Sequence, residues 1–338
     1  MNGVDQGRLR RLASELSVRD GELGHQVSTA LDRCFTRIRV QVTGRVGVGK
    51  STVRAVLDHH EELTGPDVET TESAAVDVPR SPDPILDGDV LIHVLAGGVQ
   101  AADVDVIAAA SCPVVVLAKA DTVDDVPGAV ERLTEAVGVP VLPLTGTIAR
   151  TVLGGRPVTF AGLRDGLVAI AESALLTPER FELADSSLSR QDRHDLVDAI
   201  EMLGVRTVVE ALREDPARND VFLRRRLAEV SGLAPMMDAV RSSIDGVRVD
   251  RAGRLAHRLT ELAVQFPAVS ERLEEYLASD EAVLVIMRSA LRTTNVAEPV
   301  GSPVDAALEW HRRACSAVDP SHRRAFFAVS RGYLRMRA

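Results

Sequence analysis

The sequence predicts an α/β domain with a mainly parallel sheet, joined to an all-helical region in the second half of the chain. Two observations carry this prediction. From about residue 37 onward, short apolar runs alternate with stretches of helical periodicity, which is typical of buried parallel strands connected by helices. Beyond residue 193, apolar residues recur only at helical spacing, with breaks at glycines and at Pro267.

Each expected element follows from its local pattern. Residues 5–35 carry leucines at helical spacing and predict helix, with an interruption near Gly21 and Gly24. The apolar runs predict strands at residues 38–43, 74–78, 90–95, 114–118 and 139–144. Helices are expected near residues 51–63, 101–110, 125–137 and 161–174.

These elements divide the chain into four expected parts. They are an N-terminal helical segment at residues 1–36, the α/β domain at 37–176, a linker at 177–192 and a helical domain at 193–338. The linker assignment depends on a polar, serine-rich stretch that contains Pro178. The N-terminal helix can extend the helical domain into a larger bundle.

Composition excludes several classes of protein. The chain has 338 residues, 45% of them hydrophobic, which is enough for two cores. Three scattered cysteines exclude a disulfide scaffold and a cysteine-based zinc site. There is no apolar run of about 18 residues and no apolar signal segment at the N-terminus. The few, odd-numbered cysteines also favour a reducing cytoplasm, and the net charge of −9 argues against nucleic-acid binding.

The basic residues are unevenly chosen. Of the 40 lysines and arginines, only Lys50 and Lys119 are lysines. Arginine is a planar fork, whereas lysine is a compact point charge on a thin stem. In a chain that uses arginine almost everywhere, these two lysines indicate positions where arginine does not serve.

A phosphate-binding loop is predicted at residues 44–51, whose sequence GRVGVGKS matches G-x-x-x-x-G-K-[ST] between a strand and a helix. Lys50 is expected to reach the β- and γ-phosphates, and the Ser51 hydroxyl to bind Mg²⁺. Arg45 is a candidate to stabilise phosphate charge during catalysis together with Lys50, or else a solvated loop side chain. The expected phosphate-binding residues are Gly44, Val46, Gly47, Val48, Gly49, Lys50, Ser51 and Thr52.

A base-recognition segment follows the fourth predicted strand. Residues 117–121, LAKAD, resemble the [NT]-K-x-D guanine-recognition motif of GTPases. The resemblance implies that the Lys119 stem lies against the base and that Asp121 accepts hydrogen bonds from guanine N1–H and N2–H₂. Ala118 stands where the family has Asn or Thr. Thr145 and Gly146 occupy the place of the family's last base-contacting loop.

A second metal-binding segment resembles the family's D-x-P-G motif. Residues 74–80 read AAVDVPR, and the resemblance implies that Asp77 holds Mg²⁺ through a water. Arg80 replaces the glycine whose N–H bonds the γ-phosphate, which weakens the case for hydrolysis more than the case for binding. Thr70 is our choice for the Mg²⁺-binding threonine of the first switch, with Thr64 and Thr71 as alternatives.

The motifs together resemble P-loop GTPases of the translation-factor and dynamin class. The helical half is similar to short actinobacterial dynamin-like GTPases around residues 203–206, 228–233 and 248–262. The resemblance implies an α/β P-loop GTPase domain plus an all-helical C-terminal bundle. It also implies GTP or GDP and Mg²⁺ as ligands, and a homodimer or a pairing with a neighbouring GTPase.

Three functions follow from this interpretation. The first is a guanine-nucleotide-binding switch with slow or partner-dependent GTP hydrolysis. The second is a pseudo-GTPase that serves as a regulatory scaffold without turnover, and the third is a P-loop ATPase or nucleotide kinase. The basic segment at 311–338, with seven arginines and one acidic residue, can lie peripherally on the inner membrane face or dock against the acidic remainder of the chain.

Overall fold

The chain forms two compact units. The structure is a computed structural model that describes residues 6–63, 65–77, 84–155, 158–268, 270–294 and 296–336. One unit contains residues 37–243, and the other combines residues 1–36 with residues 244–338. Within the described ranges, no helix is both long and apolar enough to cross a membrane.

A five-stranded parallel sheet forms the centre of the 37–243 unit, as predicted. The strands β1, β3 and β4 are almost wholly buried. This explains why β3 and β4 appear in the sequence as nearly continuous apolar runs, whereas in β1 apolar residues alternate with Arg39, Gln41 and Thr43. The strand order across the sheet is β2-β1-β3-β4-β5. The strands are β1 (Ile38–Gly44), β2 (Val68–Glu72), β3 (Val90–Leu95), β4 (Pro113–Ala118) and β5 (Val141–Leu144).

The second strand lies earlier in the chain than predicted. β2 has the sequence VETTE at the edge of the sheet, and only Val68 of it is buried. A half-exposed edge strand is built from β-branched and polar residues, so it lacks the apolar run that marks a central strand. The strand predicted at residues 74–78 was wrong, because residues 73–77 form the connection that follows β2 and residue 78 lies outside the described residues.

Helices connect the strands and continue after the sheet. Their ends have local causes, such as the capping box of Ser189 and Asp192 and the positive φ of Gly138 and Gly232 at two helix ends. In chain order they are α1 (Gln6–Arg19), α2 (Gly21–Cys34), α3 (Lys50–Asp58), α4 (Ala101–Ala109), α5 (Val126–Val137), α6 (Gly146–Val152), α7 (Arg164–Ala169), α8 (Pro178–Glu182), α9 (Arg190–Glu214), α10 (Asp220–Ser231), α11 (Leu233–Gln265), α12 (Glu271–Leu277), α13 (Asp280–Thr294), α14 (Pro303–Ser316) and α15 (Pro320–Arg335).

The segment expected to be a linker, residues 177–192, belongs to the core of the 37–243 unit. It contains α8 and the start of α9. Phe181 is fully buried and Leu188 nearly so, in one apolar cluster with Phe160 and Leu196. The segment is polar overall, yet two of its side chains, Phe181 and Leu188, anchor it in the apolar core. The chain divides instead within α11, after residue 243.

Arg193 reinforces the same segment. Its side chain is buried, with 6% of the residue exposed. Its Nε and Nη2 atoms donate hydrogen bonds to the Glu182 carbonyl oxygen at 3.1 and 2.8 Å, and Nη1 donates to the Leu188 carbonyl oxygen. Because a buried guanidinium must find acceptors, Arg193 fixes the path of the backbone that it contacts.

The second unit is helical, as predicted for the C-terminal region. Leu9 and Leu16 of α1 and Leu23 of α2 lie in one buried cluster with Leu255 and Leu259 of α11. The N-terminal helices therefore extend the C-terminal bundle. This arrangement follows from their leucine spacing, since an amphipathic helix must bury its apolar stripe against another element.

The basic C-terminal helix α15 docks within this unit through one face. Val329 is fully buried in a cluster with Trp310 and Met287, and Ser330 Oγ donates a hydrogen bond to the Ala307 carbonyl oxygen at 2.8 Å. Phe327 lies on the outer side of the helix, where it is 40% exposed. One of the two roles considered for the basic segment, docking against the rest of the chain, is thus observed for part of α15.

Candidate functional site

A tightly curved loop connects β1 to α3. We call residues 44–50 the glycine loop. Gly44, Gly47 and Gly49 have φ angles of 147°, 73° and 102°, which side chains other than glycine rarely adopt. A Cβ atom at Gly44 would lie 2.5 Å from the Val94 carbonyl oxygen, so β3 also excludes a side chain there. These glycines allow the backbone to curl at the carboxyl edge of the sheet.

The Lys50 side chain hydrogen-bonds the backbone of the glycine loop. It is only 9% exposed, and its Nζ donates hydrogen bonds to the carbonyl oxygens of Gly44 at 3.1 Å and Arg45 at 2.9 Å. Lys50 is also the first residue of α3, whose N-terminus carries partial positive charge. The ammonium and the helix N-terminus therefore make this loop chemically suited to an anion.

Asp77 is brought to the glycine loop by a hydrogen bond to its backbone. The Val46 N–H donates to Asp77 Oδ1 at 3.0 Å, across 31 residues of chain. Ser51 is exposed in the first turn of α3, close to the loop in sequence. Together these two residues provide hydroxyl and carboxylate oxygens, the ligand type that Mg²⁺ prefers.

Thr70 does not join this group. It pairs with Val40 in the middle of β1, whereas the glycine loop begins at Gly44, four residues further along the same strand. At about 3.3 Å per residue, that places Thr70 roughly 13 Å back from the loop. Its hydroxyl donates to the Asp58 carboxylate at the end of α3. Thr64, an alternative Mg²⁺-binding threonine, and Arg80, which replaces the glycine expected to bond the γ-phosphate, lie outside the described residues.

Arg45 is turned toward the protein. Its Nη2 donates a hydrogen bond to the Gly98 carbonyl oxygen at 2.7 Å, and its Nε lies 3.0 Å from Asp103 Oδ2. Asp103 is completely buried, and its other oxygen lies 2.9 Å from His93 Nε2. The guanidinium is thus held within its own chain by a hydrogen bond to Gly98 and an ion pair with Asp103, in the position where the sequence suggested phosphate contact or a solvated side chain.

His93 is the buried partner of Asp103. Burial lowers its pKa, and the nearby Arg45 and Lys50 charges add to this effect, while Asp103 opposes it. Burial in β3 therefore favours the neutral form of His93. The contact between His93 and Asp103 has no signal in the sequence. Asp103 stands three residues after Gln100, which by itself indicates only a helix capping box.

Lys119 reaches the glycine loop from the end of β4. Its φ of 56° places it in the left-handed region. From there its Nζ donates a hydrogen bond to the Gly47 carbonyl oxygen at 3.1 Å. Ala118 contacts the loop as well, since a Cβ at Gly49 would lie 3.5 Å from the Ala118 Cβ. Asp121 follows, half-buried in the 3₁₀ turn Ala120–Thr122.

The turn after β5 is fixed by helices from beyond the expected domain boundary. The Thr145 N–H donates to the Ser231 carbonyl oxygen at 2.9 Å. Gly232 approaches β5 so closely that a Cβ there would lie 2.0 Å from the Pro143 carbonyl oxygen. On the other side, a Cβ at Gly146 would lie 2.7 Å from Thr52 Cγ2 of α3. The predicted residues Thr145, Gly146 and Thr52 are therefore brought together.

Glu201 is a neighbour of this turn that the sequence did not reveal. Its φ and ψ of 54° and 173° interrupt α9. A non-glycine residue in such a region costs about 1–3 kcal/mol and persists only where its surroundings hold it. α9 packs against α6, the helix that begins at Gly146. Burial raises the pKa of Glu201, and the nearby Asp121 charge raises it further.

The comparisons leave the family resemblance as a prediction. No family model and no curated protein matches the chain. Among the described residues, no group of three or more His, Cys, Asp or Glu side chains could hold a metal ion. The chemistry of the site therefore depends on the loop, the two lysines and the carboxylates just described.

Proposed function

We propose that the chain is a guanine-nucleotide-binding switch protein with slow or partner-dependent GTP hydrolysis. The observation that carries this proposal is the convergence of Lys50, Lys119 and Asp77 on one glycine loop. Lysine, carboxylate and curled backbone N–H groups at a helix N-terminus are the combination that binds a nucleotide phosphate chain. No other arrangement in the described residues unites both lysines.

The base would occupy the space beside Lys119 and Asp121. Guanine presents N1–H and N2–H₂ donors on one edge, which a carboxylate accepts as a pair. Adenine has no such donor pair, so it would leave the Asp121 carboxylate unpaired at a cost. Thr145 and Gly146, packed against Thr52, would close this end of the site.

Mg²⁺ fits the oxygen donors beside the loop. Ser51 and Asp77 would hold the ion together with the bound phosphates, where it would neutralise phosphate charge. Asp77 is already oriented by the Val46 N–H. Thr70 is left out of this proposal for two reasons. It lies in the middle of edge strand β2, away from the glycine loop, and its hydroxyl donates a hydrogen bond to the Asp58 carboxylate.

Binding is better supported than turnover. The Arg45 guanidinium donates a hydrogen bond to Gly98 and forms an ion pair with Asp103, and it would have to leave both to reach a phosphate. This observation also favours the second candidate, a pseudo-GTPase that binds nucleotide and acts as a regulatory scaffold. Single-turnover hydrolysis with and without a second GTPase separates the two, because turnover that depends on Lys50 excludes the scaffold.

Calorimetric titration tests the binding proposal directly. We expect GDP with Mg²⁺ to bind at least tenfold more tightly than ADP, an advantage of about 1.4 kcal/mol or more. Lys50→Ala should abolish GDP binding while circular dichroism shows a retained fold. Equal binding of ADP would favour the P-loop ATPase or nucleotide kinase alternative, and absence of binding by both would refute the proposal.

Partners and membrane contact are extensions of the same proposal. A homodimer, or a pair with another GTPase, would supply the groups that the site lacks for fast hydrolysis. The exposed side of α15, with Phe327 and several arginines, would contact an anionic membrane surface peripherally. Sedimentation with anionic and with neutral vesicles tests this contact, since charge-driven binding disappears with the neutral ones.

A further inference from the structure

The Asp103 carboxylate lies at the centre of a buried chain of contacts that ends in the glycine loop. The residue is completely buried, and each carboxylate oxygen has a hydrogen-bond partner. Oδ1 lies 2.9 Å from His93 Nε2 of β3, and Oδ2 accepts the Gln100 N–H at 2.9 Å. Arg45 adds an ion pair, with its Nε 3.0 Å from Oδ2. Asp103 therefore keeps a hydrogen bond at each oxygen without Arg45, which supplies the compensating charge.

The Arg45 guanidinium is held less firmly than the carboxylate. Its Nη2 donates a hydrogen bond to the Gly98 carbonyl oxygen at 2.7 Å, but its Nε–H has no aligned hydrogen-bond acceptor among the described residues. The hold of Asp103 on Arg45 is therefore mainly the attraction of opposite charges. The Arg45 carbonyl oxygen accepts a hydrogen bond from Lys50 Nζ at 2.9 Å. This arginine thus belongs to the same piece of backbone as the ammonium of the proposed phosphate site.

His93 is the group that can replace the Arg45 charge. A carboxylate only accepts hydrogen bonds, so in the neutral ring Nε2 carries the proton shared with Asp103 and Nδ1 carries none. Nδ1 is buried and has no hydrogen-bond partner in the described part of the chain. A proton at Nδ1 would place an imidazolium charge against Asp103. Burial of the ring opposes this protonation, as do the nearby charges of Arg45 and Lys50.

The neighbouring strands offer an acceptor for the added proton. In the register of the sheet, His93 stands beside Thr43 of β1 and Val115 of β4, neither of which carries a charge. The Thr43 hydroxyl is also buried and lacks a hydrogen-bond partner within the described ranges. Because paired residues on adjacent parallel strands direct their side chains to the same face, this hydroxyl lies on the face where an Nδ1–H needs an acceptor.

Resting on the proposed nucleotide-binding function, we propose that Asp103 and His93 are positioning residues that set the place of the Arg45 guanidinium. Without nucleotide, Asp103 holds Arg45 beside Gly98. When the phosphate chain binds, its oxygens draw Arg45 from Asp103, since a guanidinium binds phosphate through two parallel hydrogen bonds. His93 then takes one proton from solvent at Nδ1, which compensates the buried carboxylate. Binding of the nucleotide and of this proton therefore strengthen each other.

The His93 ring reports this coupling directly. In proton–carbon NMR spectra recorded across a pH series, its signal is identified by its absence from His93→Gln. We expect saturating GDP with Mg²⁺ to raise the pKa of His93, because Arg45 leaves and Asp103 remains. Arg45→Gln should raise it without nucleotide, and GDP should then add no further shift. Arg54→Gln is the matched control, since it removes an exposed arginine that is also paired through Nε, with Asp58, and it should titrate like the unaltered protein.

Calorimetry measures the same coupling as an affinity. Between about pH 8 and pH 6, GDP binding by the unaltered protein should strengthen at least about threefold relative to its binding by Arg45→Gln, with about tenfold per pH unit as the limit for one coupled proton. The comparison cancels the titration of the nucleotide's own phosphates, which is common to both proteins. His93→Gln, which cannot take the proton, should lose the added pH dependence while circular dichroism shows a retained fold.

The outcomes separate this inference from the proposed function. If GDP binds but leaves the His93 titration unchanged, or if Arg45→Gln shows the pH dependence of the unaltered protein, the positioning role is refuted and the proposed function stands. A variant that fails to fold does not remove the test, because the nucleotide-dependent titration is measured on the unaltered protein. If the unaltered protein binds no guanine nucleotide, both proposals fail together.

Discussion

The Lys119 ammonium donates a hydrogen bond to the Gly47 carbonyl oxygen at 3.1 Å, across 72 residues of chain. Lys50 donates to two other carbonyls of the same loop, those of Gly44 and Arg45. The two lysines of an arginine-rich chain therefore converge on a single loop. A compact ammonium with three donors on a thin stem suits both positions, where a planar guanidinium would have to displace loop backbone.

Replacing Lys119 should weaken nucleotide binding without unfolding the protein. Lys119→Ala removes the link between the β4 end and the glycine loop, and we expect GDP affinity to fall at least tenfold, about 1.4 kcal/mol or more. Lys119→Arg should also lose affinity, because the guanidinium does not reproduce the lysine stem. Titration calorimetry measures both. Arg132→Ala, which alters an exposed side chain on α5, is the control, and unchanged affinity in Lys119→Ala would contradict the assigned role.

Asp121→Asn should change the preferred base. An amide can donate a hydrogen bond where the carboxylate only accepts, so the variant should favour xanthine, whose 2-oxo group is an acceptor, over guanine. We expect the ratio of GDP to xanthosine diphosphate affinity to fall at least tenfold in calorimetric titrations, about 1.4 kcal/mol. If the ratio stays at its original value, Asp121 does not contact the base.

Arg193→Ala should destabilise the 37–243 unit. The variant leaves the Glu182 and Leu188 carbonyl oxygens without their buried donor, and we expect the free energy of unfolding to fall by about 2–3 kcal/mol. Urea denaturation measures this change. Arg190→Ala, at an exposed position one turn earlier in α9, should change it by less than about 0.5 kcal/mol. Equal effects of both variants would show that residues 177–192 behave as a loose linker.

His93 should make the protein less stable in mild acid. Because burial lowers its pKa in the folded state, the unfolded chain binds a proton more readily, and stability falls as the pH drops below about 6.5. His93→Gln does not titrate and can still hydrogen-bond Asp103. Between about pH 7.5 and pH 5, the variant should therefore lose less stability than the unaltered protein. Urea midpoints across this range measure the difference, and parallel pH curves would contradict the prediction.

The sequence predicted best those parts of the fold that are buried on both faces. The central strands β3 and β4 coincide with apolar runs because parallel strands between two layers of helices are buried on both faces, and β1 was recognised from its alternating apolar residues. Edge strand β2 was missed because one exposed face allows polar residues. The linker assignment failed for a related reason, since composition alone does not show that Phe181 is an anchor in a buried cluster.

The candidate site shows the same division. Local motifs identified Lys50, Asp77, Lys119, Asp121 and the turn after β5, since each is a short pattern at a strand end. Asp103 and Glu201 were not found. Asp103 belongs to a helix cap, and Glu201 lies in the interior of a helical pattern about 80 residues from Asp121, so neither carries a local signal.

The sequence by itself determined the central buried strands, most helices and the chemical groups of this protein, because helical and strand periods and glycine-rich turns are local properties of the chain. Only the tertiary structure decided which groups meet. It turned Arg45 toward Asp103, carried Lys119 to Gly47 and placed the Thr145 N–H against the Ser231 carbonyl oxygen. These contacts depend on how distant segments pack, and packing is set by burial of the whole core rather than by any short stretch of sequence.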